Sequence, residues 1–146
     1  HLRDIFAINN NKRLEMTIIT KEDFDNAVNY GFNPFLDSSF EISIRSRIEI
    51  QKEMFKSDHQ FYKYCWKNLP HFCQETGLKL TTYSSVHISH ILSRGAFPEM
   101  RYDIRNINIL TLTSHKLWES EKKVDMYIYK KNRQTIELLK NEYREL

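Results

Sequence analysis

Hydrophobic positions recur along this chain in short blocks rather than in one long stripe, and most blocks carry a start or stop signal. Thr20 precedes Lys21-Glu22-Asp23, with Phe24 and Val28 one helical turn apart. That order predicts a capped helix with acidic charge in its first turn. Gly31 and Asn33-Pro34 would end it. From Phe40 the pattern serves two readings. Phe40, Ile42, Ile44, Ile48 and Ile50 alternate as in a strand, yet Phe40, Ile44, Ile48 and Phe55 also suit a helix. The Ser38-Ser39 start, Glu41 and the Gln51-Lys52-Glu53-Met54 run favour the helix. Asp58 is expected to cap the next one, with Phe61, Tyr62, Cys65, Trp66 and Leu69 on one face and Pro70 at its end.

Beyond Pro70 the blocks shorten. Lys122 to Leu146 reads as a final helix with Val124, Ile128, Ile136 and Leu139 as an imperfect apolar stripe. No internal repeat or low-complexity segment interrupts this order.

Composition narrows the class. With 146 residues, 40% hydrophobic and 13% aromatic, the chain can bury a core and is not a disordered tail. Its 22 Lys and Arg against 19 Asp and Glu give a net charge of +3, which permits DNA binding without predicting it. No apolar run is long enough to span a bilayer and the amino terminus lacks a signal-peptide pattern, so no membrane partner is expected. Cys65 and Cys73 make no disulfide framework, which suits a reducing, cytoplasmic setting.

Candidate chemistry gathers between His87 and Glu119. His90 is followed by Ile91-Leu92-Ser93-Arg94-Gly95; Asn106 opens Asn-Ile-Asn-Ile-Leu; and His115 comes nine positions after Asn106. This segment resembles the HNH, or ββα-metal, endonucleases, and Ser93 to Arg101 is similar to the NinG-type phage recombination nucleases. The resemblance implies an α+β fold whose core is a short two-stranded ribbon, His87 to Leu92 and Asn106 to Leu110, and a metal-site helix capped by Thr113 or Ser114, surrounded by flanking helices. The core would span residues 65–120, between a mainly helical arm, 1–64, and a carboxy-terminal helix, 121–146, in one compact unit. It implies a divalent-metal-dependent endonuclease hydrolysing DNA, encoded by a phage, prophage or mobile element.

Within that resemblance His90 is the general base that takes a proton from water, a task suited to an imidazole. Asn106 would orient it, its amide oxygen bonding the ring nitrogen not acting as base. His115 would bind one divalent ion (Mg²⁺, Mn²⁺, Ni²⁺ or Zn²⁺), with Glu119 one turn further along the same helix face. Ser89 stands where many relatives have a ligand, and His87, two residues earlier, is placed on the same strand face by alternation. Either His87 completes the shell or water does. Arg94, Arg101 and Arg105 are the expected DNA contacts. Each of these residues also has a plainer reading, as a backbone-bonded strand histidine, a turn asparagine, a solvated helix charge or a surface arginine.

Relatives often carry two cysteine pairs that hold a structural zinc. The corresponding positions here are Cys73, Thr76, Thr111 and Ser114. One thiolate cannot close a tetrahedral zinc shell, so no structural zinc is expected, and hydrogen bonds or packing must replace it. His71, just before this turn, is expected to pack on Trp66. Two rival functions stay open: a non-catalytic DNA-binding or phage-assembly protein of the same fold, and an antibacterial toxin nuclease.

Overall fold

A computed structural model describes residues 16–146. The first fifteen residues of the expected arm lie outside the described residues. Contacts divide the chain into two units, residues 1–54 with Leu146, and residues 55–145.

In the first unit β1 (Met16–Ile18) pairs in parallel with β2 (Phe40–Ile42), Met16 opposite Phe40 and Ile18 opposite Ile42. Parallel neighbours need a crossover. Here it contains α1 (Lys21–Asn29), which starts as the sequence predicts. Thr20 Oγ1 accepts from the Asp23 amide at 3.2 Å, and the Asp23 carboxylate accepts from the Thr20 amide at 3.1 Å, a closed capping box. The buried face is Phe24 and Ala27, while Val28 is exposed. Gly31, at φ +91°, turns the chain out of the helix in a conformation that side chains disfavour.

Residues 40–42 are a strand and not the start of a helix. The local pattern fitted both, and pairing with β1 decides between them. The helix, α2 (Ile44–Met54), begins only after Ser43, whose hydroxyl accepts from the Ser46 amide at 3.1 Å.

The second unit opens with α3 (Asp58–Asn68). Ser57, not Asp58, caps it, accepting from the Gln60 amide at 3.2 Å. Phe61 and Cys65 are fully buried. A tight turn follows, with Phe72 bridged to Lys79 and the Cys73 amide donating to Leu78 O at 2.8 Å. Next come β3 (Ile88–His90) and β4 (Ile107–Ile109), an antiparallel pair with Ile88 opposite Ile109, Ser89 opposite Asn108 and His90 opposite Ile107. Both strands are shorter than expected, because His87 and Asn106 each end a single 3-10 turn.

Helix α4 (Leu112–Trp118) follows β4 directly. Its cap is Thr111 rather than Thr113 or Ser114, with Oγ1 accepting from the Ser114 amide at 3.2 Å. The expected final helix is three pieces: a 3-10 segment Glu121–Asp125, α5 (Tyr127–Lys131) and α6 (Arg133–Tyr143). Val124 is exposed, and the buried stripe is Met126, Ile128, Leu139 and Tyr143. The Glu75 carboxylate accepts from the Tyr127 amide at 2.6 Å, which starts α5 with a negative charge at its positive end. Asn132 breaks α5 from α6. Its buried side chain donates to Asn108 Oδ1 at 2.9 Å, tying the break to β4.

The fold class is α+β: six α-helices and two two-stranded sheets among the described residues. No described helix is long and apolar enough to cross a membrane.

Candidate active site on the β3–β4 hairpin

His90 ends β3 and is half-buried against α3, its ring 6.4 Å from Phe61 and 6.1 Å from Tyr62. Nε2 lies 3.0 Å from Arg101 O. A carbonyl only accepts, so Nε2 carries the hydrogen and Nδ1 keeps its lone pair. Burial is the main force on its pKa and pushes it down to about 4. The Arg94 and Arg101 charges act in the same direction, while the Arg101 carbonyl and Asp58 oppose it. The imidazole is therefore neutral at pH 7 and anchored on one side, and burial makes its other nitrogen a weaker base than that of an exposed imidazole.

Asn106 does its work on backbone, not on the His90 ring. Its Oδ1 accepts from the Leu92 amide at 2.8 Å, and its Nδ2 donates to Leu92 O at 3.0 Å and Met100 O at 3.3 Å. Ile91 N also donates to Asn106 O at 2.8 Å. Fully buried, Asn106 pins both ends of the loop that carries Arg94. Orientation of His90 falls instead to the Arg101 carbonyl, at the far end of the same loop.

His115 and Glu119 come together, with Nε2 3.0 Å from Glu119 Oε1. The other ring nitrogen donates to Val86 O at 2.6 Å. His87 donates from Nδ1 to Leu110 O at 3.0 Å, and its ring lies over Trp66 at 6.3 Å. It belongs to the 3-10 turn before β3, so strand alternation does not govern it. Ser89 is fully buried opposite Asn108, with no hydrogen-bond partner for Oγ. Among the described residues no group of three or more His, Cys, Asp or Glu side chains is placed to hold a metal ion.

The three arginines divide into two kinds. Arg94 and Arg101 reach one carboxylate, Asp58, at 2.8 and 2.6 Å, and stay about half exposed. Tyr102 Oη donates to the same Asp58 Oδ1 at 2.9 Å. Arg105 is largely buried and spends Nε, Nη1 and Nη2 on Asp103 and Glu142. Burial works against its charge, but Asp103 and then Glu142 push its pKa up. So employed, Arg105 is a structural cation. Asp58 and Tyr102 were invisible as site residues in the sequence: an Asp at a helix start reads as a cap, and its partners lie 36 and 43 residues away.

Cys73, Thr76, Thr111 and Ser114 do meet. Cys73 Sγ lies 3.8 Å from Thr111 Oγ1 and 3.7 Å from Ser114 Oγ, and Thr76 bonds it as well. Burial raises the thiol's pKa, but the Thr76, Thr111 and Ser114 hydrogen bonds outweigh it and bring the pKa down to about 7. The turn is fastened to β4 by Gln74, whose amide donates to Ile109 O at 2.8 Å and whose Oε1 accepts from Ile109 N at 2.6 Å. His71 stacks on Trp66 at 3.8 Å with the planes 9° apart, as the sequence suggests.

No protein-family model, no curated protein and no solved structure matches this chain.

Proposed function

We propose that this chain is a divalent-metal-dependent endonuclease of the HNH, ββα-metal kind that hydrolyses DNA phosphodiester bonds. One observation carries most of the weight: a neutral histidine on a hairpin strand, anchored through Nε2 with Nδ1 open, beside two half-exposed arginines. It joins the His90, Asn106 and His115 order on which the family resemblance rests.

In this reading Nδ1 of His90 takes the proton of an attacking water while the Arg101 carbonyl holds the ring in one tautomer. Arg94 and Arg101 bind the phosphate oxygens, and Asn106 holds the loop that carries Arg94 at its required length. His115 and Glu119 offer an imidazole and a carboxylate, a donor pair that suits a divalent ion, with His87 or water as a further ligand. Such an ion supplies Lewis-acid stabilisation of the phosphorane charge and the leaving oxygen. The Cys73 position offers one thiol and three neutral hydroxyls, a poor zinc shell, so the ion is assigned to His115 alone of the two places.

Plasmid nicking across Mg²⁺, Mn²⁺, Ni²⁺ and Zn²⁺ tests the reading. His90→Ala should lose cleavage by roughly 10²–10⁴-fold, the usual worth of a positioned base, while metal binding persists. Full activity of that variant would remove His90 from the mechanism. No cleavage by the unaltered protein in any metal, with DNA still bound, would favour the non-catalytic reading.

A further inference from the structure

Arg94 and Arg101 approach Asp58 as they would approach a phosphate. One guanidinium nitrogen from each meets a different carboxylate oxygen, Nη1 of Arg94 on Oδ2 at 2.8 Å and Nη2 of Arg101 on Oδ1 at 2.6 Å, and the Tyr102 hydroxyl adds a third donor at 2.9 Å. Three converging donors on a planar, two-oxygen anion form a complete oxyanion cradle. The cradle is also accessible: the side chains of Arg94, Arg101 and Asp58 are 50%, 43% and 33% exposed. A pair that open to water is weakly held and gives way to a better anion. Its position is the telling part. Arg101 O anchors His90, and the charges of Arg94, Arg101 and Asp58 all act on that imidazole.

We propose that Asp58 is a built-in phosphate mimic: it occupies the Arg94–Arg101–Tyr102 cradle in the free protein, and a DNA phosphodiester displaces it on binding. This rests on the endonuclease reading for the identity of the incoming anion, though not for the existence of the cradle. Asp58 thereby sets a threshold. A single weak anion gains little by replacing a carboxylate already in place, whereas a strand with neighbouring phosphates gains the cradle along with its other contacts. Unladen, the two arginines are partly neutralised, so the surface beside His90 does not hold stray anions.

Asp58→Asn tests this, because the shape and the first helical turn are kept while the competing charge is lost. Binding of a labelled duplex, measured by anisotropy without added metal, should tighten about three- to tenfold. Its dependence on log[salt] should steepen by roughly one to two phosphate-equivalents. Inorganic pyrophosphate, followed by calorimetry, should gain affinity in the same variant. Adding Arg94→Gln and Arg101→Gln to Asp58→Asn should abolish both gains, which assigns them to the cradle. Unchanged or weaker binding of both probes by folded Asp58→Asn would overturn the proposal and make Asp58 an organiser of the arginines. The two readings fail separately. Pyrophosphate gain without any DNA cleavage by the unaltered protein leaves the cradle and sinks the nuclease; His90-dependent cleavage with no Asp58 effect does the reverse.

Discussion

Two aspartates in the second unit hold arginines, and they do opposite things. Asp103 is fully buried, bonded by the Arg105 amide, Nε and Nη2 and by the Tyr143 hydroxyl at 3.1 Å, with Glu142 sharing the guanidinium. Asp58 is one-third exposed and is bonded by Arg94, Arg101 and Tyr102. The chemistry is nearly the same: a carboxylate, guanidinium groups and a phenol. Solvent decides the difference. Asp103 is fully shielded and Arg105 nearly so, and neither can leave the other without stranding a charge, so the pair, with partly exposed Glu142 at its edge, fastens α6 to the loop before β4. In water the Asp58 group can exchange partners, which is what a binding site requires.

The largest effect should come from breaking the buried group. Asp103→Ala should cost about 3–5 kcal/mol in urea unfolding, because Arg105 is left buried without its main partner. A loss below about 1 kcal/mol would erase the contrast with Asp58.

The second test uses pH. His90, next to the exposed group, has its pKa depressed from an ordinary 6.5 to about 4, mainly by burial. The unfolded chain then binds a proton more readily than the native one. The stability contribution is full above pH 6.5 and is lost as pH falls toward 4, by about 1–3 kcal/mol. Denaturation at pH 7 and 4.5 should show this slope reduced in His90→Gln relative to the unaltered protein. An identical slope in both would contradict it. Asp58→Asn should move the His90 titration, followed by NMR, to still lower pH, since the Asp58 charge supports the protonated ring.

The phenols give a finer comparison. Tyr143→Phe removes a hydrogen bond to a buried carboxylate and should cost about 1–2 kcal/mol; Tyr102→Phe should cost less than about 0.5 kcal/mol. Equal losses would mean that exposure does not separate the two groups.

Smallest is Asp58→Ala, which should change stability by no more than about 1 kcal/mol. In 1 M NaCl even that difference should shrink, while the Asp103→Ala deficit stays. A large, salt-insensitive loss would show that Asp58 belongs with the structural carboxylates after all.

Some of this was legible along the chain because the signals are local. Thr20 with Asp23 marks a helix start within four residues, and the two-strand-and-helix order after His87 is the order that the family resemblance implies. Other readings failed where a distant partner decides. Phe40–Ile42 is a strand because Met16–Ile18 lies beside it. The last helix breaks at Asn132, whose side chain bonds Asn108 on β4, 24 residues away.

The sequence by itself determined the α+β class, and the family resemblance it carries implied a strand for His90, a following helix for His115 and the correspondence of Cys73, Thr76, Thr111 and Ser114 to one another. Only the tertiary structure decided what the polar side chains hold. It gave Asn106 to backbone rather than to the imidazole, Arg105 to a buried ion cluster, and Arg94 and Arg101 to Asp58. The physical reason is that periodicity and caps are settled within a few residues, whereas a charge takes its role from its partner and its exposure to water, and both are fixed by chain segments far apart.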